Sequence, residues 1–157
     1  GDYTVRAFPH FSVLARAIWM TVTPIFCQKV FLTAAEVQSM NSDPPEIVVS
    51  PGAGRLLQLE EAFLSFTAGS ETLSPGGNLQ IFVNPIAQVQ ASTSLDDSFL
   101  TGGNSYGSIR AAAGTFDDTD DLLDQPMILF NGSADFSGNT SLDCTLEVTV
   151  LYRIIAP

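Results

Sequence analysis

Positive charge and histidine are scarce in this chain. Its 157 residues hold six Lys and Arg against seventeen Asp and Glu, with one histidine and two cysteines. A lone histidine, His10, excludes a histidine-rich metal site, and Cys27 and Cys144 belong to no metal-ligand spacing. A disulfide between those two cysteines is open on spacing alone. The missing positive charge is unevenly distributed. Residues 1–55 carry four basic and four acidic side chains, whereas residues 56–157 carry only Arg110 and Arg153 against thirteen acids, a net of −11. So acidic a body repels phosphate backbones, and no nucleic-acid partner is expected. No run of eighteen apolar residues is present, so no membrane span is expected. The apolar stretch Phe11–Phe26 is broken by Arg16 and Pro24 and has no small-residue cleavage site, so it reads as part of the working protein. No nucleophile–base pair can be assembled, and the expectation is a non-enzyme without a metal or cofactor. The glycines of Ser50-Pro-Gly-Ala-Gly54 are turn chemistry, because no Lys-Ser or Lys-Thr follows them as a phosphate loop requires.

What the chain does have is alternation. Leu142, Cys144, Leu146, Val148, Val150, Tyr152 and Ile154 are apolar at every second position, with Asp143, Thr145, Glu147, Thr149 and Arg153 between them. Strand side chains point alternately to opposite faces, so this is a long strand with one buried face. Further strands are predicted at Lys29–Leu32, Ile47–Val49, Leu56–Phe66, Leu79–Val83 and Pro126–Phe130. Thr33-Ala-Ala-Glu36 is a capping box that starts a short helix to about Met40. Pro44 and Pro45 close that segment. Residues 84–125, rich in Gly, Ser, Asn and Asp, read as loops and short strands on an exposed rim. With 45% apolar residues the chain can bury a core. The expected fold is all-β: an antiparallel β-sandwich, jelly-roll-like, over residues 28–157, preceded by an irregular arm over residues 1–27. Phe8, Phe11, Leu14, Ile18, Trp19, Ile25 and Phe26 give that arm many large apolar groups. They are the candidate subunit-binding residues, whether they pack on their own domain or dock on a neighbour.

Three features invite a chemical reading. Glu60 and Glu61 are adjacent on a predicted strand, and regular alternation sends them to opposite faces, which rules out a shared substrate. Asp117-Asp-Thr-Asp-Asp121 with Asp124 is dense enough to suggest calcium, but a calcium loop has glycine sixth and glutamate twelfth, where this chain has Leu122 and Ile128. Asn131-Gly-Ser and Asn139-Thr-Ser match glycosylation acceptors.

The order of elements from Phe31-Leu-Thr-Ala-Ala-Glu36 through Asp43-Pro-Pro45 to Val48-Val-Ser-Pro-Gly-Ala-Gly-Arg55 resembles a segment of small virion proteins of tailed bacteriophages. In those, a Val-x-x-Pro-Gly-x-Gly-Lys/Arg turn leads into a long apolar strand, and the chain closes on Val-x-Tyr-Arg-Ile-Ile. Leu56–Phe66 and Val150-Leu-Tyr-Arg-Ile-Ile155 take those places here, and Gln125-Pro-Met-Ile-Leu129 matches a further strand of the pattern. The resemblance covers residues 29–83 and 125–155. It implies a capsid decoration (cement) protein on the outer capsid surface of a virion. Its implied partners are the major capsid protein and further copies of itself, as a homotrimer at threefold positions. The alternative is a fibre, spike or tail module that binds host surface glycans. Tyr106, in a glycine-rich stretch, is one candidate contact for that role.

Overall fold

The computed structural model describes residues 23–112 and 121–157. Its strands are β1 (Phe26–Thr33), β2 (Glu46–Val48), β3 (Leu56–Thr67), β4 (Leu79–Val83), β5 (Val89–Gln90), β6 (Ser105–Arg110), β7 (Met127–Asn131) and β8 (Thr145–Ile155). They form two four-stranded antiparallel sheets, ordered β1-β8-β3-β6 and β2-β7-β4-β5. The ladders β1:β8, β2:β7, β3:β6 and β4:β5 each join one of the first four strands to one of the last four. The chain is therefore one long ribbon, folded back at β4 and β5 and wound so that successive ribbon segments alternate between sheets. That winding is a jelly roll, as the sequence pattern led us to expect.

The core lies between the sheets. Cys144, Leu146, Val148 and Val150 are buried on the inward face at and before β8, opposite Ile81, Val83, Met127 and Leu129 of the second sheet. At about 25 cal/mol per Å² of apolar surface, such burial is the main source of stability. The alternation ends earlier than predicted. Leu142 is exposed and has φ 51°, so it belongs to the turn before the strand. Thr33 starts helix α1 (Ala34–Gln38) as a capping box: Glu36 N–H donates to Thr33 Oγ1 at 3.4 Å, and Thr33 N–H donates to Glu36 Oε2 at 2.7 Å. The helix and the turn after it plug one end of the core with Val37 and Met40, both fully buried.

Sequence alternation fails in β3. Opposite β8, the pairing runs Leu59↔Tyr152 and then Glu61↔Leu151, leaving Glu60 as a β-bulge. One extra residue reverses the phase of a strand. Leu57 and Leu59 are inward before the bulge, and Ala62, Leu64 and Phe66 after it. Both glutamates are consequently on the outer face, contrary to the expectation of opposite faces. Each finds an arginine on a flanking strand: Arg153 Nε donates to Glu60 Oε1 at 2.6 Å, and Arg110 Nε lies 3.7 Å from Glu61 Oε1.

Residues 84–125 are less peripheral than their composition suggested. β6 hydrogen-bonds to β3 along six residues, and Phe99, Leu100 and Ile109 are buried in the core. Phe99 and Leu100 sit on a single helical turn, α2 (Ser98–Thr101), which packs Phe99 against Phe66 with ring centroids 6.4 Å apart. β2 is Glu46–Val48, one residue earlier than predicted, which leaves Val49 exposed.

No disulfide forms. Cys27 is exposed near the start of β1, whereas Cys144 is buried beyond its far end, about 20 Å away at ~3.3 Å per strand residue. Burial pushes the Cys144 thiol pKa up and keeps it unreactive. We expect Cys27 to label rapidly with a thiol reagent and Cys144 only on unfolding. Cys144→Ser should lower the urea unfolding free energy by about 1–3 kcal/mol, because it buries a hydroxyl among Leu146, Val148 and their neighbours.

Candidate interaction end

The jelly roll has two ends of opposite character. One collects the β1–β2, β3–β4, β5–β6 and β7–β8 loops, and side chains bind these loops to one another. Asp143 accepts from Ser70 N–H at 2.9 Å and from Asn139 Nδ2 at 2.8 Å, while Asn139 Oδ1 accepts from Asp143 N–H at 2.9 Å. A side chain at Gly69 would have to displace the Asp143 carboxylate and the Asn139 amide from these bonds. Glu71 accepts from Thr140 Oγ1 at 2.8 Å and Ser141 N–H at 3.0 Å. Asp135 accepts from Ser42 Oγ at 2.6 Å and from the amides of Asn41 and Ser42. Asn131 and Asn139, the two glycosylation matches, are fully buried; Asn131 Nδ2 donates to Gly76 O at 2.6 Å. They serve as internal struts and offer no attachment point. Among the described residues, Leu142 is the one large apolar side chain exposed in these loops.

The opposite end collects the approach to β1, the β2–β3, β4–β5 and β6–β7 loops, and the chain after β8. Here large apolar groups reach solvent: Ile25 and Phe26 where the chain enters β1, Val49 after β2, and Ile86 in the β4–β5 loop, which is 93% exposed. The chain entering β1, Phe26 and the turn that carries Ile86 are held in place. Arg153 bonds both the bulge residue Glu60 and the carbonyl of Thr23, fixing the chain as it enters β1. Phe26 stacks on Tyr152 with ring centroids 5.7 Å apart. Asn84 adopts φ 66°, which asparagine tolerates better than most residues. Its Oδ1 accepts from the amides of Ile86 and Ala87 at 2.9 and 3.0 Å, and its Nδ2 donates to Asp121 O at 2.9 Å. The loop is thereby tied to the β6–β7 segment, and Ile86 is displayed on a stiff turn.

Of the predicted arm contacts, Ile25 and Phe26 lie in this apolar end. Phe8, Phe11, Leu14, Ile18 and Trp19 lie outside the described residues. Phe26 is also the first residue of β1. Val49 and Ile86 were not singled out in the sequence. A signal existed for Ile86, an isolated isoleucine straight after the turn-forming Asn84-Pro85. Within the acidic cluster, residues 117–120 lie outside the described residues. Asp124 takes φ 58°, donates its N–H to Arg55 O at 2.7 Å and accepts from Ser50 Oγ, so it braces two loops. Among the described residues, no three His, Cys, Asp or Glu side chains converge as metal ligands, and no helix is long and apolar enough to cross a membrane.

A second exposed surface is the outer face of the first sheet. Tyr106 sits on β6, an edge strand, and is 86% exposed. Phe63 of β3 pairs with Ser108, so Phe63 and Tyr106 are diagonal neighbours on one face, about 7–8 Å apart. Ser65, Ser108 and Thr149 lie around them on the same face.

No protein-family model matches this sequence, and no curated protein matches it significantly.

Two predictions follow from this geometry. Neutral donors stabilise the charged carboxylates at the stapled end. Asn139 holds Asp143 below the ordinary value of 3.8, Thr140 holds Glu71 below 4.5, and Ser42 holds Asp135 below 3.8. A folded-state pKa below the unfolded one adds stability that is complete above the unfolded value and disappears as pH falls through the folded value. The melting temperature should therefore hold near neutrality and fall steadily below about pH 4, and Asp143→Asn should make that fall shallower. At the other end, Asn84→Ala should cost about 1–2 kcal/mol of unfolding free energy in urea. Ile86→Ser should stay within about 0.5 kcal/mol of the parent.

Proposed function

We infer that this chain is a decoration (cement) protein of a tailed-phage capsid, fixed to the outer shell through the end from which the arm leaves. The observation that carries this reading is the shared location of the arm root and the exposed Ile25, Phe26, Val49 and Ile86, at the end opposite the hydrogen-bonded loops. A protein that clamps a shell needs a rigid body, an adhesive end and a soluble remainder. The jelly roll is rigid and common among viral capsid domains. The acidic body keeps the rest soluble. The apolar end supplies burial at about 25 cal/mol per Å², and many copies on a symmetric shell multiply a modest single-site affinity. The partner is the major capsid protein, and the role is structural with no catalytic step. The similarity of the Phe31–Arg55 and Val150–Ile155 patterns to phage virion proteins supports the same reading.

The second reading, a fibre or tail module that binds host glycans, is favoured by one observation. Phe63 and Tyr106 form an exposed aromatic pair among hydroxyl side chains on a sheet face, and jelly rolls also serve as lectin domains.

Quantitative mass spectrometry of purified particles separates the two. The cement reading expects a copy number equal to, or a simple fraction of, that of the major capsid protein, and a handful of copies per particle overturns it. Deleting residues 1–22, which leaves β1 whole, should give a domain that still melts cooperatively but no longer joins particles. Normal incorporation of that truncated chain counts against attachment through the arm. Binding to a glycan array that is abolished by Tyr106→Ala would favour the second reading.

A further inference from the structure

A sheet needs its edges covered, and the four edges of this fold are covered unequally. β5 is two residues long and β2 three. β6 is longer, but Thr93 covers part of it: Thr93 N–H donates to Arg110 O at 2.9 Å, and Ser92 bridges Ala111. β1 is eight residues long, and its ladder with β8 runs from Phe26↔Tyr152 to Thr33↔Thr145 without a break. Among the described residues, no backbone group bonds to its other side. Half of its N–H and C=O groups face that side. Natural edge strands are usually blunted by short length, proline, a bulge or charged side chains, lysine above all. β1 has neither proline nor bulge, and its single charge is neutralised, since Lys29 Nζ lies 2.6 Å from Glu147 Oε1. Beside Lys29, Phe31 is 68% exposed on the outer face.

We propose that β1 pairs antiparallel with β1 of a second copy across a two-fold axis through Val30, joining the two first sheets into one eight-stranded sheet. Two observations select a second copy as the occupant. Residues 56–157 carry the whole net charge of −11, so two copies repel each other over most of their surface, whereas residues 1–55 are neutral and the β1 edge is locally neutral. The strand is also self-complementary. A two-fold axis perpendicular to the sheet must pass through a residue for outer faces to meet outer faces, and Lys29 or Val30 on the axis gives the longest overlap. Lys29 on the axis sets like charges directly opposite, which is unfavourable. Val30 on the axis sets each Lys29 beside the other copy's Phe31. That repeats between copies the contact within one chain, where Lys29 Nζ lies 5.8 Å from the Phe31 ring centroid. This two-fold contact is distinct from threefold clustering on a capsid and does not depend on the particle-binding reading.

Sedimentation velocity of the full chain over a range of concentrations tests it. The parent should show a monomer–dimer equilibrium. Phe31→Lys places a positive charge opposite Lys29 of the other copy and should raise the dissociation constant by about ten-fold or more, with the melting temperature of the monomer unchanged. Phe63→Lys changes the same outer face two strands away from the edge and should leave the dissociation constant unchanged. Val30→Cys in a Cys27→Ser background should form a dimer-length disulfide under mild oxidation, since directly opposite residues in an antiparallel pair have the required separation. A parent that stays monomeric, equal loss of association in both lysine variants, or a dimer that fails to cross-link at Val30 would each overturn the proposal.

Discussion

Strand β8 carries most of the structure because both of its edges are used. It bonds β1 along eight residues and β3 along eleven, and its inward side chains form the centre of the core. β1 touches no other strand of its sheet, and β3 reaches β1 only through β8. Arg153, on the outer face of the same strand, holds both the bulge of β3 and the chain entering β1. Weakening β8 therefore releases the chain entering β1 and the β3 bulge together, and the apolar end would lose its shape along with its support.

The contrast between the two ends reflects a division of labour among side chains. One end spends its polar groups inward: Asn131, Asn139, Asp135, Asp143 and Glu71 all bind the backbone or side chains of neighbouring loops. A loop network cross-linked in this way resists deformation. Among the described residues, the opposite end uses the polar struts Asn84, Asp124 and Arg153 and sets bare aliphatic and aromatic groups on top of them. An apolar side chain on a stiff turn loses little conformational freedom on docking, so more of its burial energy is retained in the complex.

Much of the fold was legible because strand β8 and the capping box are local signals, each fixed by a few residues at known spacing. What escaped the sequence has particular causes. The β3 bulge is silent because Glu60 and Glu61 are both polar, so the outward side of the strand accepts either phase until Ala62 and Leu64 are seen inward. β6 is hidden because Ser105-Tyr-Gly-Ser-Ile-Arg110 has a single strongly apolar inward residue, Ile109, and otherwise reads as a turn. Strand partners are set by the winding of the whole ribbon and leave no mark in any one segment. For the candidate site, Ile25 and Phe26 were visible as apolar excess in a poorly patterned region. Val49 and Ile86 join them only once the β2–β3 and β4–β5 loops are brought to the end where β1 begins.

The ribbon pairing also governs how the chain reaches this state. Every long ladder joins an early strand to a late one: β1 waits for β8, β2 for β7 and β3 for both β6 and β8. The order of synthesis thus leaves the first strands without partners until nearly the whole domain has emerged from the ribosome. Contacts so distant in sequence make folding slow, on a scale of milliseconds to seconds for sandwiches of this kind. During that interval the apolar faces of β1 and β3 are open to any neighbouring nascent chain, and chaperone capacity, rather than final stability, would set the yield of folded protein when it is made at high copy number.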